Sequence, residues 1–493
     1  MAGQGDSGSS GSGDVGSAGE GGAGNASEGG AGNAGEGGAG NAGEGGAGDA
    51  GSAGEGATEP LDLTFADAFV IKVQARSDRS LLVLLDKPLD LHVDSGSPQR
   101  KLLLLDAAGR QLELLAASSS SRFLLDFAVH DSGDVSVLYS TATEYSLERF
   151  DANGDSLGMS VLSDSEIDQD PPVWNGPPSA GVEPFTFDTG RIAAFGEQLL
   201  VATRTGRHSV TARRFAFFDD GAGAAFHVEW RTLVVPPFKI GAVGLAGGSY
   251  DTFSAVQAQV MLHLAVDQAG IIYVAVQHPH LGGTNLVKAY AQVFAETLNG
   301  DADALDLYVT RIASDGKRIG TTVVGTAEDD QLFGLRGGQD SALVIGRKEY
   351  WNDQGTGFDA LVARLDGKTG ALQLRELNVE RSDLAFDAVA LAGGSWLVTG
   401  ASDWQQNPHG ASVSEESQAF LRRLDANGES SGIALANGPR HNEGRTLVPF
   451  GRGRWLLGGM SDGPGTHSGD GDPAKVRASG FLREFRLDAR GQL

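Results

Sequence analysis

Apolar and polar residues alternate over short stretches along most of the chain, and turn residues separate these stretches. In residues 384–402 (LAFDAVALAGGSWLVTGAS), an alternating run is followed by a glycine pair and then by a second apolar run. Short alternating runs bounded by Gly, Asp and Asn indicate antiparallel strands, whereas a helix would show a period of 3.6 residues. Equivalent strand pairs are predicted at 124–140, 192–203, 261–276, 333–346 and 446–459.

A second pair of strands follows each of these pairs, around a short turn in which Asp or Asn stands shortly before a glycine. Asp and Asn bond their own turn, and Gly adopts positive φ without strain, so each motif predicts a hairpin. Each unit then has four strands, which we name inner, second, third and outer in chain order. The seven turn glycines are Gly109, Gly154, Gly221, Gly316, Gly370, Gly428 and Gly491.

The regular return of four-stranded units predicts an all-β fold, a single β-propeller over residues 59–493. Seven motifs predict seven blades, and six or eight blades stay open as alternatives. The turn sequences RFDANG (149–154) and RLDANG (423–428) resemble the delta-60 repeats of bacterial propellers. The chain lacks the Trp-Asp signature of WD40 blades and the aspartate box of sialidases, and its glycine pairs precede the second strand, unlike those of kelch repeats.

The last unit ends without residues for an outer strand, because the chain stops just after its turn at RLDARGQL. A strand-like run, PLDLTFAD (60–67), stands ahead of the first unit instead. An unpaired strand edge invites pairing with other chains, so propellers close their ring. We therefore predict that residues near 61–65 complete the seventh blade.

One segment departs from the strand pattern. In NLVKAYAQVFAETLNG (285–300), apolar residues recur at helical spacing, and Asn299-Gly300 would end the helix. The helix is expected in the loop between the second and third strands of blade four, with its apolar stripe seated against the blade. The stripe consists of Leu286, Ala289, Tyr290, Val293, Phe294 and Leu298.

The first 58 residues form a separate region of different composition. Between Glu20 and Gly51 the text EGGAGNAS recurs every eight residues with small changes and without any large apolar residue. Such a segment cannot offset the entropy of folding and is predicted to be a disordered tether with a span of roughly 40 Å. It resembles the spacers of myxobacterial surface lipoproteins, which implies a location in the cell envelope or outside the cell. The lipidated Cys and the signal peptide of that class are missing from this sequence.

Charge and composition exclude several functions. The formal charge is −26, and the first 60 positions hold nine acidic and no basic residues, so residues 61–493 carry −17. This acidity argues against nucleic acid as a partner. The absence of Cys excludes disulfides and thiol catalysis. No apolar run reaches 18 residues, so no transmembrane segment is predicted. A monomer is expected.

Two short stretches match cofactor-binding or catalytic motifs, but the sequence around each argues against that function. GSGDVG (11–16) has no strand before it, and GESSG (428–432) is a blade turn rather than a nucleophile elbow. No cofactor is predicted beyond a possible structural Ca²⁺, because two groups of metal-ligand type occur without a known ligand spacing. These weak metal candidates are Asp301, Asp303 and Asp306 in one group and His278 and His280 in the other.

The two ends of a propeller differ in their loops. Turns from inner to second and from third to outer strands lie on one face, which we name the turn face, and they are short. Second-to-third loops and blade connections lie on the opposite face, the loop face, and most are long. Loops on a rigid scaffold are where binding residues gather. The candidate ligand-binding residues on the loop face are Trp174, Tyr350, Trp351, Asp353, Asp403, Trp404, His409 and His467.

Three functions remain open from the sequence. The favoured one is a non-enzymatic cell-envelope or extracellular propeller that binds a glycan or protein through its loop face. The alternative is a propeller enzyme acting on a polysaccharide or small molecule at the mouth of the central channel. A cluster of Arg, His and carboxylate side chains at that mouth would favour the enzyme. The third is a structural spacer without a concave site. Fold alone cannot choose among them.

Overall fold

The structure is a computed structural model of the chain. The part that it describes is 60–66, 68–86, 100–119, 121–141, 144–162, 190–205, 209–219, 224–236, 261–277, 283–298, 307–326, 330–352, 355–377, 383–402, 418–434, 442–451, 453–462 and 478–487. The predicted tether lies outside these residues. Within them, no helix is long and apolar enough to cross a membrane.

Seven four-stranded antiparallel sheets make up the fold, so the predicted all-β propeller with seven blades is confirmed. Blades one to three hold β2 (Phe69–Ala75), β3 (Leu81–Asp86), β4 (Lys101–Leu105) and β5 (Gln111–Ala117); β6 (Phe123–Val129), β7 (Val135–Ser140), β8 (Tyr145–Phe150) and β9 (Ser156–Leu162); β10 (Gly190–Phe195), β11 (Gln198–Thr205), β12 (Ser209–Asp219) and β13 (Ala224–Val235).

Blades four to seven follow the same order of inner, second, third and outer strand. They hold β14 (Met261–Val266), β15 (Ile272–Gln277), β16 (Leu307–Ile312) and β17 (Arg318–Val324); β18 (Asp330–Gly337), β19 (Ser341–Asn352), β20 (Gly355–Asp366) and β21 (Leu372–Leu377); β22 (Leu384–Ala390), β23 (Trp396–Ser402), β24 (Gln418–Leu424) and β25 (Ser430–Ala434); β26 (Asn442–Pro449), β27 (Arg454–Asp462), β28 (Ala478–Arg486) and β1 (Asp62–Ala66).

The ring closes as predicted, because β1 is the outer strand of blade seven. It pairs antiparallel with β28, with Asp62 opposite Arg483 and Ala66 opposite Ser479. Just before β1, the Leu61 carbonyl accepts a hydrogen bond from the Glu484 amide at 2.7 Å. Leu61 is buried among apolar residues of blades one and seven. The first strand of the domain thus joins its last.

The hydrophobic core lies between neighbouring blades. Second strands such as β3 and β7 are buried along almost their whole length, because a neighbouring blade covers each of their faces. This explains why LLVLL reads as an unbroken apolar run rather than an alternating one. Outer strands such as β9 alternate between exposed and less exposed positions. One cluster joins Leu82 and Leu84 of blade one to Leu124 and Phe127 of blade two.

The predicted turns between third and outer strands form at five of the seven sites. The glycines at 109, 154, 316, 370 and 428 have φ between 75° and 98°. In blade two the Asp151 carboxylate accepts hydrogen bonds from the amides of Asn153 and Asp155. Gly221 and Gly491 lie outside the described residues. In blade three, β12 and β13 extend beyond β11 as a ribbon, and Phe226 of this ribbon packs against blade two.

The predicted helix of blade four is α1 (Gly283–Phe294). Its stripe seats on blades three and four as expected, with Tyr290 fully buried and stacked on Tyr308 at 6.0 Å between ring centroids. The prediction was wrong for Val293, which is half exposed because it lies on the outer side of the helix. Nothing is described for the side chain of Leu286.

The helix also ends earlier than predicted. Ala295 has φ 55°, a left-handed conformation that stops the helix five residues before Gly300. Beyond that point the chain must return to β16, and Glu296 forms an ion pair with Arg318 at 2.8 Å. The helix therefore ends before it reaches the predicted stop signal at Asn299-Gly300.

Arginines on the turn face join four of the blades to the blade that follows. In several blades a guanidinium from the inner or third strand donates to a backbone carbonyl in the third-to-outer turn of the following blade. These contacts tie neighbouring blades together at the same place in the repeat. They are Arg76 to Ala152 at 2.7 Å, Arg214 to Ser314 at 2.6 Å, Arg311 to Gly367 at 3.0 Å and Arg364 to Ala426 at 3.0 Å.

Ring closure gives a stability prediction. Deleting residues 1–58 should leave the melting temperature unchanged, because no residue of β1 is lost. Deleting residues 1–66 removes β1 and exposes the edge of β28 together with part of the apolar cluster around Leu61. The melting temperature should then fall by about 5 °C or more. Calorimetry on the two truncations checks this, and equal melting temperatures would show that β1 does not close the ring.

Candidate functional site

The seven inner strands line the central channel, and five of them carry an irregularity near their beginning. In blades one, two, five, six and seven, the register with the second strand shifts by one residue. Such a bulge turns side chains toward positions that regular pleating would not give them. Inner strands begin on the loop face, so the bulges lie toward that end of the channel. The bulged residues are Ile71, Leu125, Phe333, Phe386 and Arg445.

Polar side chains next to the bulges bind the backbone of the following blade. The Asp126 carboxylate accepts a hydrogen bond from the Ile192 amide at 3.0 Å, and Asp387 accepts one from the Leu447 amide at 2.8 Å. An inner strand is the edge of its sheet, and its free amides would otherwise be buried without partners. The two carboxylates are therefore fixed deep between the blades.

A lysine and an arginine pair with these carboxylates. Lys72 of blade one donates to Asp126 at 2.6 Å and to the Phe127 carbonyl at 2.7 Å. Arg336 of blade five binds Asp387 through two hydrogen bonds, at 2.5 and 2.8 Å. Lys72, Asp126 and Asp387 are each the fourth residue of their inner strand. The same level of the channel thus carries both signs of charge.

The charged groups around the channel shift one another's pKa values. Burial opposes ionisation of Asp126, but the positive charges of Lys72 and Arg191 outweigh it and hold the pKa of this carboxyl below its ordinary value. Burial lowers the pKa of Lys72; Asp126 opposes that shift, and the guanidinium groups of Arg336 and Arg191 add to it. Burial also disfavours the charge of Arg336, yet Asp387 raises the pKa above its ordinary value. Each partner thus offsets part of the cost that burial imposes on the charges of Asp126, Lys72 and Arg336.

Aromatic rings lie at the bulges of blades five and six. Phe333 and Phe386 are half-buried, and their ring centroids are 5.1 Å apart. The guanidinium of Arg445 in blade seven lies 4.6 Å from the centre of the Phe386 ring. Arg347 lies 5.8 Å from the Phe333 ring. We name these four residues the aromatic row.

Most of the sequence-predicted ligand-binding residues lie outside the described part of the chain. This holds for Trp174, Asp353, Asp403, Trp404, His409 and His467. The weak metal candidates Asp301, Asp303, Asp306, His278 and His280 also lie outside it. Their grouping therefore stays a prediction. Among the described residues, no cluster of three or more His, Asp or Glu is placed to hold a metal ion.

The backbone of Tyr350 and Trp351 is described, and it differs from the expected loop. Both residues belong to β19, where Trp351 pairs with Thr356 of β20. The outer strand β21 pairs only with Ala360–Leu365, and the inner strand reaches only as far as Lys348. The end of this hairpin therefore extends past the blade as a two-stranded ribbon on the loop face.

The channel pairs were missed by the sequence predictions, although a signal was present. FVIKV, FLLDF and LAFDA each place one charged residue inside an otherwise apolar inner strand. A charge in a buried strand calls for a partner, because an unpaired buried charge is costly. The partners could not be read from the sequence, since Lys72 and Asp126 are 54 positions apart and Arg336 and Asp387 are 51 apart.

Two other described groups, His130 and Asp267, have the chemistry of an acid or a base. His130 Nε2 lies 2.8 Å from Ser136 Oγ, a spacing that a nucleophile and its base would show. Both residues are almost fully buried in blade two, so a substrate cannot reach them. Asp267 has a raised pKa, chiefly from burial, but its carboxylate is bound to the Tyr273 hydroxyl at 2.7 Å. Neither group lines the channel.

Comparison with known proteins gives distant matches among solved structures. No protein-family profile and no curated protein matches the chain. Among solved structures, a prolyl endopeptidase has 12% identity and a TM-score of 0.40; 81% of this chain is aligned, and it spans 45% of that protein. The polysaccharide lyase Uly1 has 10% identity and a TM-score of 0.41, with 85% and 90% covered. YCF48 bound to a D1 peptide has 9% identity and a TM-score of 0.42, with 88% and 96% covered.

The Lys72–Asp126 pair gives a stability prediction. Lys72→Met leaves the buried Asp126 without its ammonium partner and should lower the free energy of unfolding by about 3–5 kcal/mol. The double variant with Asp126→Asn should recover part of this loss. Lys317→Met is the matched control, because Lys317 pairs with Asp315 on the exposed surface, and its stability should not change. Urea unfolding of the four proteins decides, and similar stabilities for the two single variants would contradict the pairing.

His130 gives a pH prediction. Burial and the charge of Arg149 lower the pKa of His130 from 6.5 to about 4, against the opposing effects of Glu197 and Asp134. The folded protein keeps this imidazole neutral while the unfolded chain protonates it, so stability falls as the pH drops from about 6.5 to about 4. By linkage the loss at pH 4.5 is about 2 to 3 kcal/mol.

The variant His130→Gln cannot titrate and isolates this effect from the titration of carboxylates. Unfolding free energies of the wild type and the variant should be compared at pH 7 and pH 4.5. The advantage of the wild type should shrink by about 2 to 3 kcal/mol at the lower pH. An unchanged difference between the two proteins would mean that His130 is protonated in the fold.

Proposed function

We propose that the protein is a non-enzymatic binding propeller that recognises a glycan or a protein through its loop face. The observation that carries this proposal is the unequal use of the two faces. On the turn face, the third-to-outer turns accept arginine hydrogen bonds from the preceding blade, as at Ala152 and Ala426. Changes in these turns would loosen the ring, so that face has little freedom to vary. The loop face carries the longer connections of the sequence, and loops on a rigid scaffold are where binding residues gather.

Two features of the loop face support the same choice. The β19–β20 ribbon, which carries Tyr350 and Trp351, extends past the rest of blade five. The aromatic row lies near the starts of the inner strands, at the same end of the channel. Aromatic side chains on rigid strands lose little entropy on binding and often supply most of the affinity. Both features suit a partner that approaches from this side.

The enzyme alternative requires a carboxyl group that can donate and accept protons at the channel. Asp126 has a lowered pKa, and both Asp126 and Asp387 hold a cation and a backbone amide at once. A carboxylate in this state is a poor general acid. The cluster of cations and carboxylates at the channel is thus better suited to holding a ligand than to proton transfer.

The proposed location is the cell envelope or the extracellular space. Its support is the Gly-rich tether of residues 1–58 and the absence of Cys throughout the chain. A flexible spacer would hold a rigid binding head away from a surface. We also expect the binding head to act as a monomer, because β1 covers the edge of β28 that would otherwise be open for exchange with another chain.

A binding screen with matched variants tests the working face. The purified chain is applied to a glycan array and used in a pull-down from envelope extract, and the affinity for each hit is then measured. Trp351→Ala and Trp404→Ala should each weaken binding by on the order of 2 kcal/mol without changing the melting temperature. Asn153→Ala and Asn427→Ala in the turns should bind like the wild type. Loss of binding in the turn variants alone would assign the partner to the opposite face.

A further inference from the structure

The outer strand of blade two, β9, differs from the other long outer strands of the ring. An outer strand pairs on one side only, and charged side chains commonly protect such an edge from pairing with other chains. The other described outer strands of seven or more residues all carry a charge, namely Glu113 in β5, Glu229 in β13 and Arg318 in β17. The sequence of β9, SLGMSVL, contains neither a charged residue nor a proline. This edge therefore lacks the usual protection.

The exposed side chains of β9 form an apolar row. Met159 and Val161 are 55% and 51% exposed, and Leu157 is 36% exposed. In the register with β8, this row lies on the same side of the sheet as Phe150, which packs against blade one. The row thus continues the apolar side of the blade out to its rim, where solvent reaches it.

The fold does not require apolar residues at these positions. In blade seven, the outer strand β1 turns Leu63 and Phe65 toward blade one and leaves its opposite side exposed. The residues on that exposed side are Asp62, Thr64 and Ala66. Exposed apolar residues in a group, without a packing requirement for them, are typical of interaction sites.

The backbone of β9 is open along its outer edge. The strand pairs with β8 alone, and after a bulge at Leu157 the register is regular from Gly158 to Leu162. Blade three touches β9 through a side chain, because the Phe226 amide donates to the Ser160 hydroxyl at 3.2 Å. Among the described residues, no backbone hydrogen bond reaches the outer edge of β9. A regular run of this length is enough to pair with an extended segment.

Acidic residues stand at both ends of β9. Asp151 and Asp155 belong to the turn before it, and Glu113 of blade one lies beside that turn. At the other end, the exposed Glu144 precedes β8, and the sequence after β9 holds four acidic and no basic residues within 163–170. Antiparallel pairing of two copies of β9 would bring these like charges together and is disfavoured. A partner strand with basic ends would be attracted instead.

We propose that β9 binds an extended segment of another protein, which adds a fifth strand to blade two. The segment has alternating apolar residues in its middle and Lys or Arg at both ends. Main-chain hydrogen bonds hold it to the edge, and its apolar side chains contact Met159 and Val161 on one side. On the other side lies Val228 of β13, which is 50% exposed and two residues beyond Phe226. The site lies on the outer rim and is independent of the function proposed for the loop face.

Fluorescence anisotropy of labelled peptides with the full chain tests the chemistry of the partner. The probe is the peptide KRVTVTVRK, in which Val and Thr alternate between basic ends. The peptide EDVTVTVDE has acidic ends, and KRVTPTVRK keeps the charge of the probe but has a central proline that cannot donate a main-chain hydrogen bond. The probe should bind about tenfold or more tightly than either peptide. The proline peptide separates strand pairing from simple attraction between opposite charges.

Variants of exposed residues locate the site. Met159→Lys should weaken binding of the probe about tenfold or more, because it removes an apolar contact and places a positive charge beside a basic peptide. Ile319→Lys is the matched control, since Ile319 is a 41% exposed residue of the outer strand β17 and the change of charge is the same. This control should bind the probe like the wild type. Both residues are exposed, so the melting temperatures should stay close to that of the wild type.

Hydrogen exchange of the wild-type chain locates the site without any substitution. Addition of the probe should slow exchange of backbone amides within 156–162, because the new strand accepts hydrogen bonds from the outer edge of β9. Exchange within 318–324 of β17 should not change. This measurement still decides should Met159→Lys fail to fold.

Several results would overturn the inference. Absence of probe binding, or equal binding of the proline peptide, would remove strand pairing. Full affinity in Met159→Lys, or slowed exchange outside β9 alone, would place the peptide elsewhere on the chain. Sedimentation of the chain without peptide tests the remaining occupant: a dimer that Met159→Lys dissociates would show that a second copy, and not a basic segment of another protein, covers this edge.

Discussion

The pairing of β1 with β28 is the constraint on which the structure depends. A ring of packed sheets buries its core between blades, so each blade needs a neighbour on both sides. Blade seven has only three strands from its own repeat, and the fourth comes from the beginning of the domain. The contact between Leu61 and Glu484 brings together residues 423 positions apart. Closure of this kind ties every blade interface to a single pairing event.

Closing the ring creates a second requirement at its centre. Seven inner strands turn their edges toward one channel, and their backbone amides need partners there. Side chains of the preceding blade meet this need at five described amides: Asp126 for Ile192, Asp387 for Leu447, Thr446 for Val73, Gln74 for Val129 and Gln277 for Leu332. Two of these five acceptors are charged, and each of the two is paired with a cation. The chemistry of the channel therefore begins as a solution to a backbone problem.

The architecture could be predicted from the sequence because its signals are local. A glycine after Asp, as at Gly154 or Gly428, marks a turn whatever surrounds it, and counting such turns gave the seven blades. The missing outer strand of the last unit likewise indicated where the ring closes. The helix of blade four was found by its period, but its end was not, because the left-handed conformation stands at Ala295, a residue without the glycine or asparagine preference that marks such positions in a sequence.

The site was harder to predict because its members come from different blades. Asp387 meets Arg336 only after two sheets have packed, and the bulges that expose Phe333 and Phe386 leave no mark in the alternation of apolar residues. From the length of the connection, Tyr350 and Trp351 were expected on the loop face. Their backbone does lie at that end of blade five, but it forms a two-stranded ribbon and not a loop. Inner-strand charges are thus the better signal in such repeats. Each one implies a partner in a neighbouring blade, as Lys72 has in Asp126 and Asp387 has in Arg336.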